Sequence, residues 1–506
     1  MDNAQENRPV PRVPRGFRDV FAPDLVARRR AIDVIRQVYE LHGFEPLETP
    51  AVEFVEVLGK YLPESDTPEG GVFALRDDDH QWISLRYDLT APLSRLVAQR
   101  TNQLGLPFRR YQVGPVWRKE KPGPGRYREF YQCDFDTVGT ESMAADAEVA
   151  ALLVHCFTAL GIKRGDYVVR VNNRKVLNGV LDAVGLPDEA TDEGARLRLA
   201  VLRAVDKLDR LGREGVGELL GRGRMDESGD FTAGAGLSTE QAAGVMAFVD
   251  AGGGERRQVC QTLRGLVGTS PVGLAGVAEL ELIDELLAAM DLGVDQVCFD
   301  PSVVRGLAYY TGPVFEAELT FDIVDEKGQR RPFGSVAGGG RYDDLVERFT
   351  GTKVPATGAS IGVDRLLAAL QASQRDGMEP PAGPVVVTTL DGDHLADYQL
   401  MVGELRQAGI AAELFLGRGG FRKQLKYADR RRAPVVVIAG GDEFDRGEVS
   451  LKDMQLGAEL SKTVKDRDVW RKGQPAQIAV PRRELVAHVR RLLSGEAAGA
   501  AEPAAE

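Results

Sequence analysis

"RKEKPGPGRYREFYQCDFD", residues 118–136, begins as a charged run, turns through a Pro/Gly loop and ends with Phe130, Gln132, Asp134 and Asp136 at every second position. A period of two puts those four side chains on one face of a strand and Tyr131, Cys133 and Phe135 on the other. Upstream, residues 108–119 alternate in the same way, with Gln112, Gly114, Val116, Arg118 and Glu120 in one parity. Two alternating runs joined by "EKPGPGR" predict a long antiparallel hairpin. One of its faces is apolar enough for a core. The other mixes arginine, glutamate, glutamine and aspartate, which reads either as the wet side of an antiparallel sheet or as the floor of a site for a polar substrate.

On either side of the hairpin the texture of the chain changes in steps. Residues 25–42, "LVARRRAIDVIRQVYELH", carry Leu25, Ile32, Ile35, Val38 and Tyr39 at helical spacing, with Gly43 as a stop. "FEPLETPAVEF" predicts a strand broken by prolines, "WISLRYD" (82–88) an alternating strand, and Thr90 the cap of a helix with Pro92 in its first turn. From 176 to 295, short helical patches such as "ARLRLAVLRAVDKLDRLG" alternate with Gly-rich pieces, the texture of a helical insertion in a larger domain. Strand signals return at "QVCFD", "GPVFEAELT" and "FGSVAGGGRYDDLV", and "ATGASIGVDRLLAAL" closes the region by running into a helix. "QRDGMEPPAGP" (374–384) is the expected linker. Beyond it, the apolar runs "PVVVTTL", "AAELFL" and "PVVVIAG" predict a βαβ domain with a mostly parallel sheet over 385–492. The low-complexity tail, 493–506, is expected to be disordered.

Composition narrows the function. At 506 residues the chain exceeds what one core serves, so roughly two to four domains are expected. No long apolar run occurs, and "MDNAQENRPVPRVPRGF" has no apolar stretch behind its charges, which predicts no membrane span, no secretory leader and a cytoplasmic protein. Cys133, Cys156, Cys260 and Cys298 stand singly, and His42, His80, His155, His394 and His488 form no HExxH, so neither a disulfide framework nor a protein-held metal is expected. The net charge of −12 argues against sequence-blind attraction to nucleic acid. The local exception is "GRGGFRKQLKYADRRRAP" (417–434), where Arg418, Arg422, Lys423, Lys426, Arg430, Arg431 and Arg432 face the lone Asp429. It reads as a solvated helix face or as an element that meets phosphates.

Two further stretches carry chemistry. "RGLAYYTGPVFE" (305–316) sets an arginine and a glycine ahead of adjacent tyrosines. In "GASIGVDRLLAAL", Arg365 falls in the first turn of an amphipathic helix, where a guanidinium and free backbone amides can grip a polyphosphate. No GxxxxGK[ST] occurs and no GxGxxG opens a helix, so a nucleotide must be held by arginines on a sheet.

"RGFRDVFAPD", "GFEPLETPAVE", "LRYDLTAPLSR", "VWRKEKPGPGRYREFYQCDFD", "RGLAYYTG" and "AGGGRYDDL…TGASIGVDRL" resemble, in order, the N-terminal signature, motif 1, the histidine-binding segment, motif 2, the histidine-specific arginine motif and motif 3 of histidyl-tRNA synthetases. The resemblance spans about residues 11–470, and motif 2 together with RGLxYYTG makes it specific. It implies a class II synthetase fold: an α+β catalytic core with an antiparallel sheet flanked by helices, in two parts (1–175 and 296–373) around the helical insertion 176–295, then an α/β anticodon-binding domain at 385–492. It also implies a homodimer with motif 1 at the interface, and a ligase of protein biosynthesis acting on L-histidine, ATP with Mg²⁺, and tRNA(His). By matching, the histidine ligands are Asp88, Thr90, Gln132, Asp136, Tyr309 and Tyr310, with Arg305 on the carboxylate, and the ATP ligands are Arg118, Glu120, Arg126, Phe130 and Arg365. Position 308 is alanine where the family usually has an acidic residue, and the motif 2 loop is nearer the eukaryotic form than the common bacterial one. The regulatory subunit of ATP phosphoribosyltransferase shares this core but lacks the C-terminal domain that 385–470 supplies here. Synthetases for threonine, proline or glycine share that domain, and RGLxYYTG with Gln132 and Asp136 speaks against them.

Elementary chemistry agrees with the matching. Histidine's carboxylate must attack the α-phosphorus of ATP, and its own charge makes a general base unnecessary. Catalysis then reduces to alignment and charge neutralisation, so the expected catalytic residues are Arg118, Arg305 and Arg365. An imidazole has two nitrogens to satisfy, and a site that pairs both rejects apolar rivals by up to ~10⁴–10⁵-fold.

Overall fold

The structure is a computed structural model and describes residues 10–58, 71–123, 125–225, 229–304, 310–324, 328–373, 382–457 and 476–495. Most of the expected linker (374–381) and of the tail (496–506) lies outside the described residues. Contacts divide the chain into two compact units, Met1–Glu379 and Pro380–Glu506.

In the first unit the hairpin forms as the alternation requires. Phe108–Trp117 pairs antiparallel with Glu129–Val138, with Gln112 opposite Asp134 and Gly114 opposite Gln132. It belongs to an eight-stranded sheet whose order is Glu45–Pro46, Phe108–Trp117, Glu129–Val138, Ala356–Gly362, Ser335–Arg341, Pro313–Leu319, Tyr167–Asn173 and Val297–Phe299. The inner pairings are antiparallel and the two outermost parallel. One face is apolar. Cys133, Phe135, Ile361, Phe315 and Val169 are buried there in one core with the helices Ala22–Leu41 and Met143–Ala159. The first helix offers Ala31, Ile35, Val38 and Tyr39, the stripe of a helix laid on a sheet. Burying a side chain of that size is worth roughly 1.5–3 kcal/mol. The apolar face therefore fixes the register, because a slip of one residue would turn the acids of the other face into the core.

Between Tyr167–Asn173 and Val297–Phe299 the chain leaves the sheet and returns beside the strand it left. The excursion is helical from Arg174–Ala183 to Pro271–Ala289, with a small hairpin of Gly223–Met225 and Phe231–Ala233. The patch "ARLRLAVLRAVDKLDRLG" is two helices, Asp192–Val205 and Leu208–Leu220. Pro271–Ala289 packs on Met143–Ala159, so the excursion's apolar side joins the core under the sheet. The cap expected at Thr90 lies elsewhere. Thr90 is the first residue of the helix Thr90–Arg100, and Asp88 Oδ1 accepts from the amides of Thr90 (3.1 Å) and Ala91 (2.9 Å). An aspartate carboxylate caps a helix at least as well as a threonine hydroxyl, and its charge also suits the positive end of the helix dipole.

The second unit has its own core, including Val385, Tyr398, Met401, Val437 and Val449, under a five-stranded sheet. The strands Ala412–Leu414, Val385–Val387 and Val435–Ile438 run parallel, as the βαβ pattern predicts. Glu448–Asp453 and Gln477–Pro481 then pair antiparallel, so the sheet is mixed rather than mostly parallel. The connection from Ile438 to Glu448 is too short for a parallel crossover, which takes a dozen or more residues.

Candidate active site

The polar face of the large sheet carries two cross-strand rows: Gln112, Asp134, Ser360, Gly338 and Glu316, and beside it Arg110, Asp136, Gly358, Gly340 and Val314. Glycines floor the middle of both. A Cβ on Gly358 would lie 2.3 Å from Asp136 Oδ1, and one on Gly340 would lie 2.6 Å from Tyr310 Cδ1. The missing side chains leave a trough into which that carboxylate and that ring lean.

Gln132 and Asp136 stand at the edge of the trough, both nearly buried. Gln132 Nε2 donates to Ser360 Oγ at 2.8 Å, while its Oε1 is buried and unpaired. Tyr342 donates its hydroxyl to Asp136 Oδ1, and Arg110 Nη2 lies 2.7 Å from Asp136 Oδ2 in an ion pair whose geometry leaves Oδ2 without an aligned hydrogen bond. Burial raises the Asp136 carboxyl above the usual range, against the opposing pull of Arg110 and the Tyr342 hydrogen bond. Asp134 is pushed up to about 7, first by burial, with Arg110 opposing and Asp136 adding to the rise. Asp88 and Thr90 are half-buried, the former engaged with the helix amides. Arg305 and Tyr309 lie outside the described residues.

Most of the residues matched to ATP gather at the loop end of the hairpin. Arg118 donates Nε to the Tyr87 carbonyl at 3.2 Å, and its guanidinium lies 4.4 Å from the Tyr87 ring and 5.3 Å from the Phe130 ring. Glu120 is exposed and accepts from the Tyr87 hydroxyl at 3.4 Å. Arg126 is exposed and closes the loop by reciprocal backbone bonds with Gly123. Gly125, at φ +65°, turns the loop against Phe333, where a Cβ would come within 2.9 Å of the ring. The same ring lies 4.9 Å from the Arg365 guanidinium, whose Nη2 donates to the Phe333 carbonyl at 2.9 Å and whose Nε donates to that of Ser335. Hairpin loop and helix thus meet at Phe333. Among the described residues no cluster of three or more His, Cys, Asp or Glu side chains is set to hold a metal.

Several residues of this site escape sequence reasoning. Arg110 shares the parity of Gln112 and is a charge inside an alternating strand, a signal that was there to be read. Tyr342 and Asp364 carry no local signal. Tyr342 meets Asp136 across 206 positions of chain. Asp364 accepts from Arg18 at 2.9 Å, Arg28 at 3.3 Å and the Tyr131 amide at 2.8 Å, tying the N-terminal segment and the hairpin to the helix of Arg365.

In the second unit the basic segment forms the helix Phe421–Arg430, with Arg422, Lys423, Lys426 and Arg430 exposed. Beside it a cavity of about 650 Å³ is lined by Arg406, Glu413, Phe415, Arg418, Lys423 and Tyr427, among others.

Holding a nucleotide by arginines on an antiparallel sheet, beside a pocket for an amino acid and with no phosphate-binding loop, is the arrangement of class II aminoacyl-tRNA synthetases. The family described as histidyl-tRNA synthetase matches residues 16–366, and that described as anticodon binding domain matches 384–491. The histidine–tRNA ligase of Cereibacter sphaeroides is 58% identical over 489 residues, 96% of this chain and 98% of that one. That of Roseobacter denitrificans is 56% identical over 508 residues, 96% of this chain and 97% of that one. The crystal structure of histidyl-tRNA synthetase from Nostoc sp. PCC 7120 matches with a TM-score of 0.71 at 29% identity, covering 96% of this chain and 100% of that one. The chain belongs to the histidyl-tRNA synthetase family.

Proposed function

We propose that the chain ligates L-histidine to its tRNA and that the glycine-floored face is where histidine and ATP react. The observation that carries this reading is the pair of buried acceptors on that face, the unpaired Gln132 Oε1 and the Asp136 carboxylate, whose oxygens are held by Tyr342 and Arg110 and have further lone pairs to offer. An imidazole and an ammonium supply N–H donors for them, and leaving such a group unsatisfied costs about 1–3 kcal/mol. Asp136, Gln132, Tyr309 and Tyr310 take the ring and its flank, and Asp88 with Thr90 completes the amino-acid end. As the histidine carboxylate oxygen bonds to the α-phosphorus, the bond from that phosphorus to pyrophosphate breaks, and no proton need move. Arg118, steadied between two aromatic rings, neutralises the α-phosphate, Arg365 the departing pyrophosphate and Arg305 the attacking carboxylate. Glu120, Arg126 and Phe130 complete the ATP site. Mg²⁺ would need only one or two protein ligands beside phosphate and water, and the exposed Glu120 carboxylate would serve as one. Bound there, it would neutralise polyphosphate charge.

The adenylate then passes histidine to tRNA(His), gripped through the domain 385–492 and its basic helix. The boundaries drawn from the sequence, a core at 1–175 and 296–373 around an insertion at 176–295, complete the reading. A homodimer fits the small sheet of Val52–Phe54, Trp82–Leu85 and Ala74–Arg76, which exposes Val52, Phe54 and Leu75. No helix among the described residues is long and apolar enough to cross a membrane, and the cytoplasm is where the substrates are. The test is ATP–pyrophosphate exchange with each of the twenty amino acids. Histidine alone should support it; exchange with another amino acid, or with none, overturns the reading.

A further inference from the structure

We propose that Arg110 is a positioning residue of the histidine pocket, binding Asp136 and the Leu89 carbonyl at once, so that the carboxylate that reads the imidazole and the turn that carries Asp88 and Thr90 are held as one piece. The inference rests on the reading of Asp136 above. Arg110 faces Asp136 across the hairpin and, at 0% exposure, is the largest fully buried side chain among the described residues. One nitrogen, Nη2, serves both ends of the pocket, 2.7 Å from Asp136 Oδ2 and 3.1 Å from the Leu89 oxygen. Leu89 sits between Asp88 and Thr90, so this bond fixes the backbone at the far end of the substrate.

Arg110 is poorly explained as a prop for the fold. Its Nε and Nη1 are buried without hydrogen bonds, and an apolar side chain of similar volume often packs such a place at less cost than a buried ion pair. What an apolar side chain cannot do is keep Asp136 an anion. The charged and titratable groups acting on that carboxylate are Arg110 across the hairpin, Tyr342 after the glycine strand, Asp88 at the helix cap and Asp134 two residues away. Arg110 is the single cation among them. Without it a buried carboxylate neutralises itself, and then offers an O–H where the ring N–H needs an acceptor.

Exchange kinetics on Arg110→Met, Arg110→Lys, Asp136→Asn and the double variant Arg110→Met/Asp136→Asn separate the possibilities. Arg110→Met should raise the KM for histidine about tenfold to a hundredfold, the range for a hydrogen bond to a charged group, with the KM for ATP within about twofold of wild type. Arg110→Lys, which keeps the charge but not the fork, should fall between. The double variant should be no worse than the poorer single one, because Arg110 acts through Asp136. It also buries no unpaired charge, so it reports even if Arg110→Met does not fold. Equal weakening of both substrates, or effects that simply multiply in the double variant, would overturn the proposal. If Asp136→Asn itself leaves the histidine KM unchanged, the reading of Asp136 fails instead.

Discussion

Neutralising four cations of the second unit should change how binding of tRNA depends on salt without touching the chemistry of the first. Within the basic segment, Arg431 gives Nε and Nη2 to Glu413 at 2.9 and 3.0 Å, and Arg430 lies over the Tyr427 ring. Arg418, Arg422, Lys423 and Lys426 are exposed, and no acid among the described residues is paired with them. They are the cations most available to phosphate. Each phosphate contact adds roughly 0.7–0.9 to the slope of log K against log salt, so replacing all four by alanine should lower that slope by about three. Between 50 and 200 mM salt, wild-type affinity should then fall roughly sixtyfold more than that of the variant. Three of the four lie in a helix, where alanine is the best-tolerated residue, so the fold is expected to survive. The assay is tRNA binding across a salt series, with ATP–pyrophosphate exchange run in parallel. An unchanged slope, or exchange activity that falls in step with binding, would refute the reasoning.

Two other changes probe the floor. Asp134 has a folded value of about 7 against an unfolded one near 3.9, so the folded state holds its proton while the unfolded chain releases it. Its contribution is fully present below about pH 4 and is lost as pH rises to about 7, by roughly 4 kcal/mol at 1.36 kcal/mol per unit. Asp134→Asn, which keeps the shape, should therefore gain on wild type between pH 5 and pH 8 when urea unfolding is followed through Trp82 and Trp117; a difference that does not change with pH counts against it. Gly358→Ala places a methyl 2.3 Å from Asp136 Oδ1 and 2.4 Å from the Phe135 carbonyl, which cannot swing aside. Overpacking of that kind costs about 1–3 kcal/mol, and the KM for histidine should rise tenfold or more, so ordinary kinetics in this variant would show that the trough is not the site.

The hairpin was legible because its two faces differ in kind at a period of two, and a two-residue period survives any tertiary context that keeps the strand. That parity sets Gln132, Asp136 and Arg118 on the polar face, while the roles given to them come from the resemblance to the synthetase motifs. Arg110 lies on the same face one pair before Gln112, but a single arginine near the start of a strand reads equally well as a solvated charge. The cap at Asp88 was missed because threonine and aspartate compete as caps, and the choice between them is made by backbone geometry. Tyr342, Ser360 and Asp364 meet the hairpin only through strands and helices paired over great sequence distances, and nothing local announces such pairs. In the second unit, the short link after Ile438 turned a parallel pattern into an antiparallel one, a matter of loop length rather than of residue type.

The strand order has a consequence for how the chain is made. Glu129–Val138 pairs on its inner side with Ala356–Gly362, and Gln132 and Ser360 are 228 positions apart. At about 5–20 residues per second, the inner edge of the hairpin waits roughly ten to forty-five seconds on the ribosome for its partner. An open strand edge of that length invites pairing with other nascent chains, and inward-pointing charges are one of the devices that prevent it. Asp134 and Asp136 stand on that edge strand, with Arg110 opposite Asp136 on the strand behind it. Nascent chains halted before and after residue 362 should accordingly differ in resistance to protease. If they do, the acids that make the pocket polar also guard the growing polypeptide until the sheet can close.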